Sequence, residues 1–328
     1  MKRFLIPIFL YLFIATRPLL YSQVTVEPAE TIEFYRQLEV KDRVPVITCI
    51  DLDATGTFLA VGGDDQQVRI WDVTQKGITA ELKEHQEWVR GLAFSPNHTL
   101  LVTVAQDGAI KIWNTQTGSL VRSLTEPIRG TRKIVFHPTG NSFAVCGFDS
   151  QVRIYDTATG QLLRSLACNG KNNYAINYSA DGALLAAGGL SGVVRIWNPT
   201  DGKLVTEIAG DGRKVNDLAF SPNGKIIAIA GDSPFIRTFD AQTGQLATEL
   251  PERPGKSFSL VFCGENHLAS GESDNAIRIW DISAKKQAAT LLGHSGTISA
   301  MRYDAQSGKL ISGSFDTTIR FWIVEGRE

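Results

Sequence analysis

The chain has 328 residues, with 33 Lys or Arg against 34 Asp or Glu, a formal charge of −1 and an isoelectric point near 6.5. That balance excludes a nucleic-acid binder and a polybasic membrane-surface protein. The 43% hydrophobic and 20% charged content excludes disordered and fibrous classes. Length alone suggests two domains, but a closed β fold can hold this many residues as one.

In chain order, Lys2 and Arg3 precede an apolar run from Phe4 to Thr16, which Arg17 and Pro18 interrupt. This is the outline of an export signal, placed at residues 1–22. A spanning helix takes about 20 apolar residues, and this run is shorter and carries Pro7, so an uncleaved membrane anchor is the secondary expectation. The protein is accordingly expected outside the cytoplasm, periplasmic or extracellular. Removing residues 1–22 takes away Lys2, Arg3 and Arg17 and no acid, leaving 30 basic against 34 acidic groups, a charge of −4. Residues 23–31 read as a linker. Cys49, Cys146, Cys168 and Cys263 are too few and too scattered for a disulfide scaffold or a metal site, and read as small buried apolar residues.

From residue 32 onward one block keeps returning. It reads VRIWD at 68–72, IKIWN at 110–114, VRIYD at 152–156, VRIWN at 194–198, IRTFD at 236–240, IRIWD at 277–281 and IRFWI at 319–323. Its aromatic falls at Trp71, Trp113, Tyr155, Trp197, Phe239, Trp280 and Trp322, at spacings of 42, 42, 42, 42, 41 and 42. Five of the six tryptophans occupy this one position, so the period is a structural repeat. Apolar residues alternate with polar or basic ones through the block, the signature of a strand. A second strand precedes it (FLAVGG, 58–63; LLAAGG, 184–189), a third lies earlier (VRGLAF, 89–94; VNDLAF, 215–220), and a fourth follows (LVRSL, 120–124; LATEL, 246–250). Turn sequences such as SPNG and TATG separate them.

Four strands every 42 residues, with no helical stretch, resemble the WD-repeat β-propeller family. The resemblance covers residues 32–325 and implies an all-β, seven-bladed propeller of four-stranded antiparallel blades. The seventh unit ends soon after its aromatic strand, and the segment IEFYRQLEV at 32–40 is expected to supply the missing strand and close the ring. The family's buried His, Ser or Thr, Asp and Trp set is complete in two units, as His85, Thr103, Asp107 and Trp113 and as His294, Ser312, Asp316 and Trp322. A His grouped with an Asp and a hydroxyl also suits a nucleophilic triad, but neither copy lies on a G-x-S-x-G elbow, so both sets are read as structural.

No phosphate-cradling loop, HExxH or paired-Cys motif occurs, so no cofactor, metal or catalytic residue is expected. The resemblance implies a non-enzymatic, protein-binding platform that is monomeric on its own. Its docking face carries the start of each innermost strand and the residue before the turn Asp. On that face Trp88, Arg90, Arg132, Phe148, Tyr174 and Leu190 fall on neighbouring blades two to four, and aromatic and Arg residues are enriched at binding hot spots. A carbohydrate or surface-polymer binder, stacking sugars on Trp88 and Tyr174, is the alternative. An enzyme in a propeller pocket is the weaker one.

Overall fold

The structure, a computed structural model, describes residues 24–33, 44–125 and 130–324. Seven sheets, antiparallel but for one edge strand, stand around a central axis, and no helix occurs among the described residues. In each 42-residue unit the first strand is innermost, from Ile47–Leu52 in blade one to Ile298–Asp304 in blade seven. Each innermost strand packs beside the next, and that of blade seven packs beside that of blade one, so the ring is closed.

The apolar alternation of the repeat is what makes the ring cohere. Each four-stranded sheet has two apolar faces, and each face is buried against a neighbouring blade in one of seven apolar clusters. The repeat aromatics lie in these clusters, with Trp71, Trp280 and Trp322 almost fully buried. The polar positions of the aromatic strand are not uniformly solvent-facing, however. Arg69 and Lys111 are themselves buried, and the Arg69 guanidinium is paired with Asp65.

The Asp or Asn after the aromatic has a local task. Asp72, Asn114, Asp156, Asn198, Asp240 and Asp281 each turn a side-chain oxygen onto backbone N–H groups two or three residues ahead, which ends the strand in a tight turn. Asp53, in the turn after the first innermost strand, does the same across its hairpin, accepting from the N–H groups of Thr57 and Phe58.

Two N-terminal strands close the molecule, and they differ from the expectation in place and number. β1 (Val24–Val26) runs parallel to Lys286–Leu291, the outermost strand of blade six, which becomes five-stranded. β2 (Glu30–Ile32) pairs antiparallel with blade seven, Glu30 opposite Phe321 and Ile32 opposite Ile319, and supplies that blade's fourth strand. The closing strand therefore begins before residue 32, and the expected linker at 23–31 holds β1 and the first two residues of β2. The backbone reason is that the free edges of 286–291 and 319–323 present N–H and C=O groups with which an added strand can pair. Ile32 then enters the core between blades seven and one. Residues 34–40 of IEFYRQLEV and the expected signal at 1–22 lie outside the described residues. Deeper in the ring, Arg302 of blade seven donates to Asp51 of blade one at 2.5 Å, a second tie between chain end and chain start.

Candidate functional site

One irregularity recurs in every blade and builds the site. Where the innermost strand begins, its pairing with the second strand slips by one residue, between Ile47 and Cys49, Val89 and Gly91, Thr131 and Lys133, Asn173 and Ala175, Val215 and Asp217, Ser257 and Ser259, and Ile298 and Ala300. Such a bulge leaves one residue unpaired and re-aims its side chain. The seven residues so released are Thr48, Arg90, Arg132, Tyr174, Asn216, Phe258 and Ser299, and all seven line one cavity on the axis. Close backbone approach is needed here: a Cβ on Gly231 would stand 2.0 Å from the Lys214 carbonyl, so only Gly fits opposite the bulge in blade five.

The cavity is about 200 Å³, small beside the roughly 300–1,000 Å³ of pockets that enclose drug-sized ligands. It suits side chains reaching in from outside better than a whole small molecule. Its rim is cationic and aromatic. The Arg90 guanidinium lies 4.7 Å from the Trp88 ring centre and donates to Gln106 at 3.0 Å. The Arg132 guanidinium lies 5.2 Å from Phe148 and 4.6 Å from Tyr174, which meet edge to face at 6.2 Å. Lys214 Nζ stands 4.2 Å from the same Tyr174 ring.

Of the six residues expected to meet a partner, Arg90, Arg132 and Tyr174 line the cavity, while Trp88 and Phe148 flank it through those cations. Leu190 is exposed and stands outside the lining. Lys214, Phe258 and Phe315 fall on the same face by repeat position but outside the six chosen, and they join the lining from blades five, six and seven, with Phe315 48% exposed. Their signal was the repeat position itself, since each occupies the register of a residue chosen in blades two to four.

The two four-residue sets have the following geometry. In blade two Trp113 Nε1 donates to Thr103 Oγ1 at 2.9 Å, His85 Nε2 lies 2.8 Å from that hydroxyl, and His85 Nδ1 faces Asp107 at 3.3 Å. In blade seven Trp322 Nε1 donates to Ser312 Oγ at 2.8 Å, with His294 at 2.7 Å from the hydroxyl and 2.8 Å from Asp316. Burial works to raise the Asp107 carboxyl, but bonds from His85 and the Gln86 and Ala109 N–H groups outweigh it and hold it at about 2. Asp316 is likewise held well below the usual carboxylate range by His294, Thr318 and the Ser295 N–H. Each hydroxyl is enclosed by its His and Trp and does not open onto the cavity, which fits a strut and not a nucleophile.

Four of the other five blades brace the turn by ion pairs in place of the His, while blade four has Ser191 at the turn. The Arg two residues before the aromatic reaches the turn acid, as Arg69 to Asp65 at 2.8 Å, Arg153 to Asp149 at 2.5 Å and Arg278 to Asp274 at 2.6 Å. Blade five holds Asp211 at the His position, accepting from Ser233 at 2.7 Å and from Arg237 at 2.9 Å. In blade six Trp280 donates to Ser270, which donates to Glu272, a fully buried carboxylate 2.6 Å from Arg278 and 4.0 Å from the equally buried Arg253. The four cysteines are free thiols; burial pushes Cys49, Cys168 and Cys263 up to about 12 and Cys146 further still.

A closed ring of seven four-stranded blades with His–Asp–Trp struts defines a WD-repeat propeller. The chain belongs to this family: the model described as WD domain, G-beta repeat matches residues 38–72, 77–114, 118–156, 160–198, 202–240 and 285–322. The unmatched stretch, 241–284, contains the inner three strands of blade six, where Arg253 and Glu272 stand in for the His strut. The chain is similar to Mitochondrial division protein 1 of Kluyveromyces lactis (40% identity over 57 residues), Cell division control protein 4 of Saccharomyces cerevisiae (40% over 60) and Nuclear distribution protein PAC1 of Mycosarcoma maydis (46% over 48). These matches cover 17, 18 and 15% of this chain and only 8, 8 and 11% of the relatives.

Proposed function

We propose that this protein is a non-enzymatic protein-interaction scaffold that docks its partner on the bulge-bearing mouth of the propeller. The observation that carries the reading is the bulge repeated in all seven blades, which turns one side chain per blade onto a single face while the rest of the motif is consumed in building the ring. The Trp88, Phe148, Phe258 and Phe315 rings and the Arg90 and Arg132 guanidiniums on that face are the residue types that dominate binding energy at protein interfaces. The WD-repeat relatives bear names of division and nuclear-distribution proteins, in keeping with assembly roles.

The site of action is proposed to be outside the cytoplasm. The basic start and apolar run of residues 2–16 support export, and cleavage after Ser22 would leave both closing strands intact, since β1 begins at Val24. N-terminal sequencing of the protein from fractionated source cells tests this: a start at or near Gln23 in the exported fraction supports it, and an intact Met1 in the cytosol rejects it.

The scaffold reading is tested by affinity capture with the full chain. A partner held by the wild type and by Lys225→Glu, at the far end of blade five, is expected to be lost with Arg132→Glu. Equal retention by all three would reject the mouth as the docking face.

A further inference from the structure

Net charge hides a local imbalance. The chain as a whole is near neutral, yet the cavity lining carries five cations, Arg90, Arg132, Lys133, Lys214 and Arg302, against one carboxylate, Asp217. Two of the five are neutralised, because Lys133 is paired with Asp217 and Arg302 with Asp51. The other three have no carboxylate within ion-pair distance among the described residues: Arg90 meets only Gln106 and Trp88, Arg132 only the Phe148 and Tyr174 rings, and Lys214 only Tyr174. Two acids act on these cations from beyond ion-pair distance, and both are engaged elsewhere: Asp64, which pulls on Arg90, accepts from the Val46 N–H at 3.0 Å, and Asp232, which pulls on Lys214, accepts from Lys256 at 2.8 Å and from Asn216 at 3.1 Å.

These three cations crowd one another. Burial first, and then the charge of Arg90, pull Arg132 below the ordinary guanidinium range. Burial likewise lowers Lys214, with Arg132 and Lys256 adding to the effect against the opposing pull of Asp232. An anion seated among them relieves both repulsion and desolvation, and does so in a half-enclosed site where charge-assisted hydrogen bonds are strongest. The cavity volume admits side chains and little more, and exposed Trp88, Phe258 and Phe315 at its edge offer apolar contact to the polypeptide that carries them.

Building on the scaffold reading above, we propose that the mouth receives an acidic segment of the protein partner, whose Asp or Glu carboxylates enter the cavity between Arg90, Arg132 and Lys214. The proposal assigns the partner's chemistry and the three residues that read it.

The test is fluorescence anisotropy with the full chain and two labelled peptides, one of alternating Glu and Gly and one of alternating Gln and Gly. The Glu peptide is expected to bind roughly tenfold or more tightly than the Gln peptide, with affinity falling as salt rises. Arg132→Gln and Lys214→Gln should each cost roughly tenfold, Arg132→Lys should recover part of that loss, and Lys225→Gln should change nothing. Thermal midpoints matching the wild type show that the variants are folded. Equal binding of the two peptides, binding of neither, or full Glu-peptide affinity in Arg132→Gln and Lys214→Gln overturns the proposal. A captured partner that is lost with Trp88→Ala but is insensitive to salt and to Lys214→Gln overturns it too, while leaving the scaffold reading standing.

Discussion

Blades six and seven solve one problem with opposite chemistry. Both must give a buried Trp N–H an acceptor and tie the turn before the third strand to the loop ahead of the blade. Blade seven uses a neutral relay, Trp322 to Ser312 to His294 to Asp316, in which a single charge sits at the edge. Blade six keeps the first step, Trp280 to Ser270, and then runs into a buried carboxylate between two guanidiniums. Arg253 also donates to the carbonyls of Gly231, Ser233 and Gly255, so the charged version ties blade five to blade six. The repeat thus conserves a geometric demand, an acceptor under the indole and a brace on the turn, which more than one set of residues meets.

The blades also share their closure, and breaking it has the largest expected effect. Deleting residues 24–32 strips the fifth strand from blade six and the fourth from blade seven, and removes Ile32 from the core. The thermal midpoint should fall by about 10 °C or more, or the cooperative transition should vanish. A midpoint within error of the full chain would show that the ring needs no strap.

Next in size is Arg253→Ala. It leaves three carbonyls without their donor and Glu272 with one guanidinium fewer, a loss of about 3 to 5 kcal/mol by urea denaturation. His294→Ala should cost less, about 1 to 3 kcal/mol, because the hydroxyl and the carboxylate keep other partners in Trp322, Thr318 and the Ser295 N–H. If His294→Ala proves the more damaging, the neutral relay and not the ion network is the principal brace.

The smallest effect is the most diagnostic. Burial raises the Glu272 carboxyl from 4.5 to about 7 against the pull of Arg253 and Arg278, so between those limits the folded chain holds a proton that the unfolded chain releases. Stability therefore rises as pH falls from about 7 toward 4.5, and Glu272→Gln should abolish that slope. Burial lowers His294 below 6.5 despite its bond to Asp316, so there the unfolded chain takes the extra proton and stability is lost as pH falls below 6.5. His294→Ala should remove that loss. Urea midpoints across this pH range for the two variants should depart from the wild type in opposite directions, and departures of the same sign would refute the assignment.

Much of this was legible beforehand. The period of 42 in Trp71, Trp113, Tyr155 and Trp197 gave the number of blades, because an aromatic that must be buried every 42 residues leaves little choice of architecture. His85 and His294 could be paired with Thr103 and Ser312 because the resemblance to WD repeats supplies the pattern that the counts then fit. The Arg clamps were harder to see, since Arg69 and Arg153 sit at positions that alternation assigns to solvent, and only packing between blades shows them buried or braced by an acid four residues back.

By itself, then, the sequence determined the strands, their order and the ring, because alternation and spacing are local properties that burial must honour. It did not determine that closure takes two strands, one of them parallel on blade six, because pairing at a sheet edge depends on which backbone groups the finished ring leaves bare. Nor did it determine the mouth. Arg90, Arg132 and Lys214 are ordinary cations in a chain of almost zero net charge, and only the bulges that turn seven strands onto one axis bring them to one cavity with none of the three ion-paired among the described residues.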